Sequence, residues 1–353
     1  GHAVHRWRAG RYTVAGGGVM KHIRYSLHDN GVGEVIFDNS ALEVNLLSSE
    51  VLLELEKLLE SIPQQKELKI LLFKSAKEGI FIAGADIKEI KALDSREKAL
   101  EKVRYGRRIL SMISALKVPT LAVIDGAALG GGFELALACD FRLATENPRT
   151  KIGLPEVSLG VMPGFGGTVR LRNLIGLQKA LELILGSKQL NGKKAAYLGL
   201  VDSCVPSGYL GFKEAQMTAD ILNVKKRANI VAKRHKATLL ERFAPSLIFS
   251  FAQKEVMKKT KGNYPAPLTV IEHFTKIEKM GFYEALEEES RSFSDLAMTK
   301  ESKHLIELFF TSEALKHDTG IDSVTAPKKI NFASVYGGGT MGSGITWLFS
   351  KID

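Results

Sequence analysis

The sequence predicts a mixed α/β fold in which strand, strand and helix recur, followed by a largely helical region. Three observations support this prediction. Short apolar, β-branched runs alternate with amphipathic helical patterns between residues 20 and 206. Glycine-rich turns separate many of these runs, and residues 207–323 carry long polar helical patterns without strand signals. We therefore expect stacked ββα units in layers, with a helical extension behind them.

The first predicted elements are a hairpin and a helix. Apolar runs at 23–27 and 34–37 flank Asp29-Asn30-Gly31, a strong hairpin turn signal. Leucines then recur at helical spacing over 50–61, where Ser48 or Ser49 supplies the N-cap. The next predicted elements are a buried strand at 69–74, a loop at 79–86, a helix from Ile87 with Asp86 as its N-cap, and a helix at 96–116.

Residues 118–140, VPTLAVIDGAALGGGFELALACD, form the centre of the predicted fold. A buried strand at 120–124 leads to three glycines, Gly130 to Gly132, and then to a helix at 133–139. Glu134 has apolar neighbours on almost every face of that helix, and burial of a carboxyl raises its pKa toward the range useful for acid–base chemistry. The free N–H groups at a glycine-lined helix start favour an anion. The stretch predicts an anion hole beside a tuned carboxyl.

A second carboxyl, Glu156, follows 22 residues later in another apolar run, between Pro155 and Val157. Two poorly solvated carboxyls can divide the roles of acid and base. Around them the sequence predicts a strand at 141–144, a polar loop at 145–151, a helix from Thr168, and two helices with a short strand (200–205) within 178–206.

The last segment follows a weak linker at 322–329. Residues 329–335 predict a strand, and Gly337, Gly339 and Gly342 form a GxGxxG turn into a helix, so residues 324–353 resemble the truncated start of a dinucleotide-binding (Rossmann) domain. The acidic ribose ligand expected about 20 residues further on has no counterpart in the sequence. We expect no dehydrogenase activity from this segment.

Composition narrows the class of protein. The 353 residues are 45% hydrophobic and 25% charged, with a net charge of +10, and no apolar run is long enough for a transmembrane helix. Two cysteines suit a reducing compartment. CxxC and HExxH spacings are absent, so we expect no metal site.

Two basic stretches have alternative interpretations. Residues 1–19 carry Arg6, Arg8 and Arg11 without an acid and precede Met20, which favours an added leader over a transit-like peptide. A basic tract follows in the helical extension. We interpret it as a solvated helix face that could touch a membrane surface weakly, and without interleaved aromatic residues we expect no nucleic-acid binding. The tract comprises Lys225, Lys226, Arg227, Lys233, Arg234 and Lys236.

Three motifs in this order resemble the crotonase superfamily, the enoyl-CoA hydratases and isomerases. They are IAGADIKEI at 82–90, DGAALGGGFELALACD at 125–140, and LPEVSLGVMPGFGGTVRL at 154–171. The resemblance implies a crotonase fold, a spiral of ββα units, over residues 20–206. It also implies hydration of trans-2-enoyl-CoA to 3-hydroxyacyl-CoA without a cofactor, and a shift of 3-enoyl double bonds to the 2-position.

The resemblance also implies roles for individual residues. The N–H groups of Ala85 and Gly131 would form an oxyanion hole for the thioester carbonyl. Glu134 would deprotonate the attacking water, and Glu156 would deliver a proton to the α-carbon. Further contacts with CoA or the acyl chain are expected from Ala83, Lys88, Met162 and Phe165.

Later motifs resemble the multifunctional α-subunits of fatty-acid oxidation complexes, which fuse a hydratase to a 3-hydroxyacyl-CoA dehydrogenase. These motifs are GNYPAP at 262–267, SFSDLAMT at 292–299 and GGGTMGSGI at 337–345. The resemblance implies an acyl-CoA substrate, a role in β-oxidation, a thiolase β-subunit as partner, and NAD as a cofactor of the full-length protein alone. The absence of a convincing transit peptide favours the bacterial cytoplasm, with the mitochondrial matrix as the alternative.

Other functions remain open from the sequence alone. The chain could be a non-catalytic acyl-CoA-binding or scaffold fragment whose helices at 207–323 contact a thiolase. It could also catalyse another CoA-thioester reaction on the same scaffold, although two glutamates beside intact motifs argue against a dedicated isomerase. The sequence leaves self-association and acyl-chain length undetermined.

Overall fold

A computed structural model describes residues 20–232, 238, 241, 243–318 and 331–351, and the mixed α/β class is confirmed. The leader, the linker at 322–329 and Lys233, Arg234 and Lys236 lie outside the described residues. The strands are β1 (Ile23–Leu27), β2 (Val32–Phe37), β3 (Ile70–Ser75), β4 (Ile80–Ile82), β5 (Thr120–Ile124), β6 (Ala127–Leu129), β7 (Phe141–Thr145), β8 (Lys151–Gly153) and β9 (Ser203–Val205).

The helices follow the predicted order, with 3₁₀ turns between some of them. They are α1 (Ser49–Ser61), α2 (Ile87–Lys91), α3 (Arg96–Ser114), α4 (Gly131–Ala138), α5 (Gly167–Ile175), α6 (Leu177–Leu185), α7 (Gly192–Leu198), α8 (Leu210–Leu222), α9 (Val224–Ala232), α10 (Pro245–Thr260), α11 (Pro265–Lys276), α12 (Phe282–Ala297), α13 (Lys300–His317) and α14 (Thr340–Phe349). Ser48 caps α1 and Asp86 caps α2, as the sequence predicts.

The nine strands of the described residues form two separate sheets. The large sheet has the order β1-β2-β3-β5-β7-β9, and all its pairs are parallel except the β1–β2 hairpin. The small sheet has the order β4-β6-β8, with parallel pairs. From β3 to β7, each strand of the large sheet is followed by a strand of the small sheet and then by helical structure. The expected repetition of ββα units is therefore confirmed.

The large sheet is apolar because it is covered on both faces. Its inner face contributes to the main core, with Phe73 and Ala122 fully buried. Its outer face forms a second cluster with Met217 and Ile221 of α8. A parallel sheet covered on both sides requires nearly continuous apolar strands, which is why all five residues of β5 are buried.

The strands of the small sheet correct the sequence interpretation. The expected loop at 79–86 contains β4, and β6 and β8 are two strands that the pattern did not reveal. Each has three residues, which is too short for an alternating or continuous apolar pattern to stand out. In addition, α4 begins at Gly131, so two of the three central glycines are helical.

Helices α8 to α12, which lie beyond residue 206, contribute to the same compact unit as the sheets, Gly1–Phe309. Phe249 of α10, Phe274 of α11 and Leu286 of α12 belong to the main core. Helix α12 packs against α3 and α5, and Glu287 pairs with Arg104 and Arg107 of α3. The segment expected to be an extension thus covers the region around α3 and α5.

The second compact unit is Phe310–Asp353. The predicted strand at 329–335 is wrong over residues 331–335, which have no regular structure. Extended backbone needs a neighbouring strand to satisfy its N–H and C=O groups, and the described residues supply none there. Phe332 is 95% exposed. The glycine turn does lead into a helix, α14, whose N-cap is Gly339.

The basic residues of α9 were expected to form a solvated helix face that could touch a membrane weakly. Lys225 and Lys226 of α9 are exposed, and Lys226 pairs with Asp220. Within the described ranges, no helix is long and apolar enough to cross a bilayer.

Candidate active site

Three adjacent parallel strands of the small sheet end at one edge, and each leads directly into a segment with a predicted site residue. Residues 83–85 follow β4, Gly130 and Gly131 follow β6, and Glu156 follows β8. Ligand sites commonly lie at the carboxyl ends of parallel strands, because the connecting loops converge there. Three motifs that are distant in the sequence are thus brought together by the pairing of three short strands.

The segment at 45–47 holds the loop after β4. The Ala83 N–H donates to Asn45 O at 2.9 Å, and the Leu47 N–H donates to Gly84 O at 2.8 Å. The buried Asn45 side chain also links the two sheets, since its Nδ2 lies 3.2 Å from Phe37 O in β2 and 3.2 Å from Phe81 O in β4. Asn45 is a positioning residue that the sequence did not reveal, because one polar side chain in a loop carries no pattern.

The predicted oxyanion donors, Ala85 and Gly131, lie side by side. A Cβ added to Gly131 would stand 3.2 Å from Ala85 N and 3.5 Å from the Phe165 ring. Gly131 opens α4, so its N–H has no intrahelical acceptor. Neither N–H donates to a backbone acceptor in the described part of the chain. The two amides can therefore donate to one oxygen placed between them.

Glu134, on the first turn of α4, is 2% exposed. Its Oε1 accepts hydrogen bonds from the Phe165 N–H at 2.8 Å and the Gly167 N–H at 2.7 Å. Burial raises the pKa of Glu134 well above its ordinary value, and the nearby carboxyls of Glu156 and Glu289 raise it further, while these two hydrogen bonds oppose the shift. Among the described residues, Oε2 has no paired donor, which leaves it available to a molecule in the cavity.

Glu156 begins a 3₁₀ turn, Glu156–Leu159, immediately behind Pro155. Both of its carboxyl oxygens are buried and lack a hydrogen-bond partner among the described residues. Its Oε1 would lie 3.1 Å from a Cβ at Gly130, so only a glycine gives the carboxyl room beside the oxyanion donors. Burial raises the pKa of Glu156 to about 8.

The surroundings of the two carboxyls favour different protonation states. A carboxylate that accepts two N–H groups is favoured in its charged form, whereas a buried carboxyl without donors is favoured as the neutral acid. When the pair carries one proton, the two N–H donors therefore favour the charge on Glu134 and leave the proton on Glu156. Both carboxyls are buried, in agreement with the apolar surroundings of the two residues in the sequence.

A cavity of about 320 Å³ joins these groups. Its volume falls within the range of small-molecule sites, about 300–1,000 Å³. Ala83, Met162 and Phe165, which the resemblance assigns to substrate contacts, line the cavity with both glutamates and both oxyanion residues. Lys88 is exposed on α2 and does not line it, although its neighbours Asp86 and Ile87 do.

Three lining or supporting residues come from the helices beyond 206 and were missed. Phe293 of α12 and Phe309 of α13 line the cavity. Glu289 of α12 is fully buried and binds the loop that leads into α5. A signal for Glu289 was present: it occupies the apolar stripe of α12 at helical spacing from Leu286 and Phe293. Glu287 and Glu288 precede it, and such an acidic run is typical of a solvated face.

The described residues contain no candidate metal site. No group of three or more His, Cys, Asp or Glu side chains in the described ranges could hold a metal ion. The turn at Gly337, Gly339 and Gly342 follows residues 331–335, which have no regular structure.

The layered ββα units are those of the crotonase class. The chain belongs to the enoyl-CoA hydratase/isomerase family, whose sequence profile matches residues 28–262.

Among individual proteins, the chain is similar to the fatty acid oxidation complex subunit alpha of Vibrio cholerae. The two are 40% identical over 306 residues, which cover 86% of this chain and 43% of the relative. The chain thus spans less than half the length of this curated relative.

Solved structures show the same fold. An enoyl-CoA hydratase from Bacillus anthracis is 26% identical with a TM-score of 0.53, and the match covers 84% of this chain and 96% of that chain. The human mitochondrial delta3-delta2-enoyl-CoA isomerase has a TM-score of 0.61 over 85% of this chain and 100% of that chain. At 22% identity, the second likeness concerns the fold alone.

Proposed function

We propose that this protein hydrates trans-2-enoyl-CoA to 3-hydroxyacyl-CoA. The observation that carries the proposal is the pair of buried carboxyls on one cavity, of which one accepts two backbone N–H groups and the other accepts none. Such a pair suits an addition that needs a base for water and an acid for carbon.

The reaction balances with these groups. Glu134 Oε2 takes a proton from water as the water oxygen bonds to the β-carbon, and electron density moves to the thioester oxygen. The Ala85 and Gly131 N–H groups stabilise that oxygen, and each such donor contributes about 3–4 kcal/mol to transition-state stabilisation. Glu156 then gives its proton to the α-carbon. Transfer of the proton from Glu134 to Glu156 through water restores the starting state.

We also propose that the site moves 3-enoyl double bonds to the 2-position. This reaction removes a proton from the α-carbon and returns one to the γ-carbon, and it needs a single carboxyl beside the oxyanion donors. Glu156 suits this task in its deprotonated form, which takes the α-proton and returns it to the γ-carbon, since no donor restrains its carboxyl.

The wider setting belongs to the same proposal. Similarity to the Vibrio cholerae fatty acid oxidation complex subunit alpha supports a role in fatty-acid β-oxidation. We infer a thiolase β-subunit as partner. The proposal also includes the residue roles given above and the domain boundaries at 206 and 323. It further includes contact of Lys88 with CoA phosphates and a cytoplasmic location.

The decisive experiment mixes the purified chain with crotonyl-CoA, and separately with a longer 2-enoyl-CoA, and follows the loss of conjugated-enoyl absorbance. Rapid loss with water oxygen at the β-carbon would support the hydratase. A flat trace with CoA still bound would favour the alternative, a non-catalytic acyl-CoA-binding or scaffold fragment.

A further inference from the structure

We propose that Glu289 is a positioning residue for Glu134, acting through residues 164–168, which we call the glycine loop. The inference rests on the proposed hydratase function and adds a third carboxyl to it. Glu289 does not line the cavity, so it cannot touch a substrate there. Its effect on chemistry has to pass through the glycine loop.

Successive backbone amides of the glycine loop serve the two carboxylates alternately. The N–H groups of Phe165 and Gly167 donate to Glu134. The intervening amide of Gly166 donates to Glu289 Oε1, and the next amide, of Thr168, donates to Glu289 Oε2 at 2.9 Å. Because the four amides belong to consecutive residues, a displacement of one carboxylate moves the donors of the other.

The side chain of Thr168 also binds Glu289. The Thr168 hydroxyl donates to Glu289 Oε2 and lies 2.9 Å from His273 Nε2. Burial lowers the pKa of His273 to about 3, so the ring is neutral near pH 7. With its proton on Nε2, His273 donates to the Thr168 oxygen. Glu289 therefore receives only donors, and these favour its carboxylate form against the burial that raises its pKa.

The glycine loop has little room to move. A Cβ on Gly167 would stand 2.7 Å from Glu134 Oε1, and Gly166 has φ +102, a conformation that favours glycine. Arg170 Nη1 donates to Phe165 O at 2.6 Å and fixes the loop from its other side. The loop is thus a rigid connection between a buried carboxylate on α12 and the proposed base on α4.

The substitution Glu289→Gln tests this connection. A glutamine offers one acceptor oxygen, and its NH₂ group would face a donor of the glycine loop. We expect kcat for hydration to fall about 10–100-fold, since a displacement of about 1 Å at a reacting group costs up to about 10²-fold. KM should stay nearly unchanged, because Glu289 does not contact the cavity.

Glu287→Gln is the matched control. It makes the same chemical change on the same helix, but Glu287 pairs with Arg104, Arg107 and Arg291 and does not touch the glycine loop. We expect its kcat to match that of the unchanged protein. Equal kcat values for the two variants, whether high or low, would overturn the proposal.

If the Glu289→Gln variant does not fold, Thr168→Val tests whether Glu289 positions Glu134. It removes the hydroxyl donor and keeps the backbone donor to Glu289. A smaller loss in kcat with unchanged KM supports the proposal, and an unchanged kcat overturns it. A wild-type chain without hydration activity would instead refute the proposed function, so the two failures are distinguishable.

Discussion

The large sheet and the small sheet differ in strand length, in burial and in the role of the segments that their strands lead into. β3, β5 and β7 of the large sheet have five or six residues and little exposure, and they contribute to both clusters of the core. The small sheet has three strands of three residues each, and every one of them leads into a segment of the site. The difference indicates that the large sheet supplies stability while the small sheet aligns the chemistry.

The strongest test of this division is Glu134→Gln, beside the small sheet. We expect hydration to fall by about 10²–10⁴-fold, the usual contribution of a proton-transfer group. The glutamine oxygen can still accept from Phe165 and Gly167, so thermal unfolding should occur at the same temperature or higher. Isomerisation of a 3-enoyl-CoA should persist through Glu156. Hydration at the wild-type rate would remove Glu134 from the mechanism.

Gly131→Ala probes the oxyanion donors. The added methyl group would lie 3.2 Å from Ala85 N, where the thioester oxygen is expected. We expect hydration to fall about 10²–10³-fold, as when one such donor is lost. Steady-state kinetics with crotonyl-CoA measure the loss. Gly208→Ala is the control, since nothing lies within 4 Å of its added Cβ. Similar rates for both variants would contradict the assigned donors.

The pH dependence should follow Glu156. Its pKa is raised to about 8, so the proton needed by the α-carbon is lost as pH rises through that value, and kcat/KM should fall above it. The free energy of unfolding should also fall as pH rises, because the folded protein favours the neutral acid of Glu156. The wild type should therefore lose stability relative to Glu156→Gln between pH 4.5, the ordinary pKa of the carboxyl, and about pH 8. Denaturant titrations at both ends of this range measure the change, and parallel stability curves would argue against a buried, neutral Glu156.

Leu143→Ala, in the large sheet, should have the smallest effect on activity. Leu143 is fully buried in β7 and packs in the second cluster with α8. We expect a loss of about 2–5 kcal/mol in the free energy of unfolding. Below the unfolding transition, kcat should stay at the wild-type value. A large fall in kcat for the folded variant would contradict the assignment of stability to the large sheet and of catalytic alignment to the small sheet.

The sequence by itself determined the class of the fold and most of its large elements. β5 is a continuous apolar run because both faces of the large sheet are covered, and α3 shows helical spacing because one of its sides faces the core. Glu134 and Glu156 stood out as acids in apolar surroundings, and the structure buries both carboxyls on one cavity. These features are local, so the order of residues along the chain is enough to predict them.

The tertiary structure decided how those local features meet. Strands of three residues have no pattern of their own, and the pairing of β4, β6 and β8 exists only after the spiral has formed. Glu289 meets the glycine loop more than a hundred residues away, because α12 packs against α5. The predicted strand at 329–335 failed over its described residues for the same reason, since a strand needs a partner that its own sequence does not supply. Long-range contacts therefore determined the arrangement of the site.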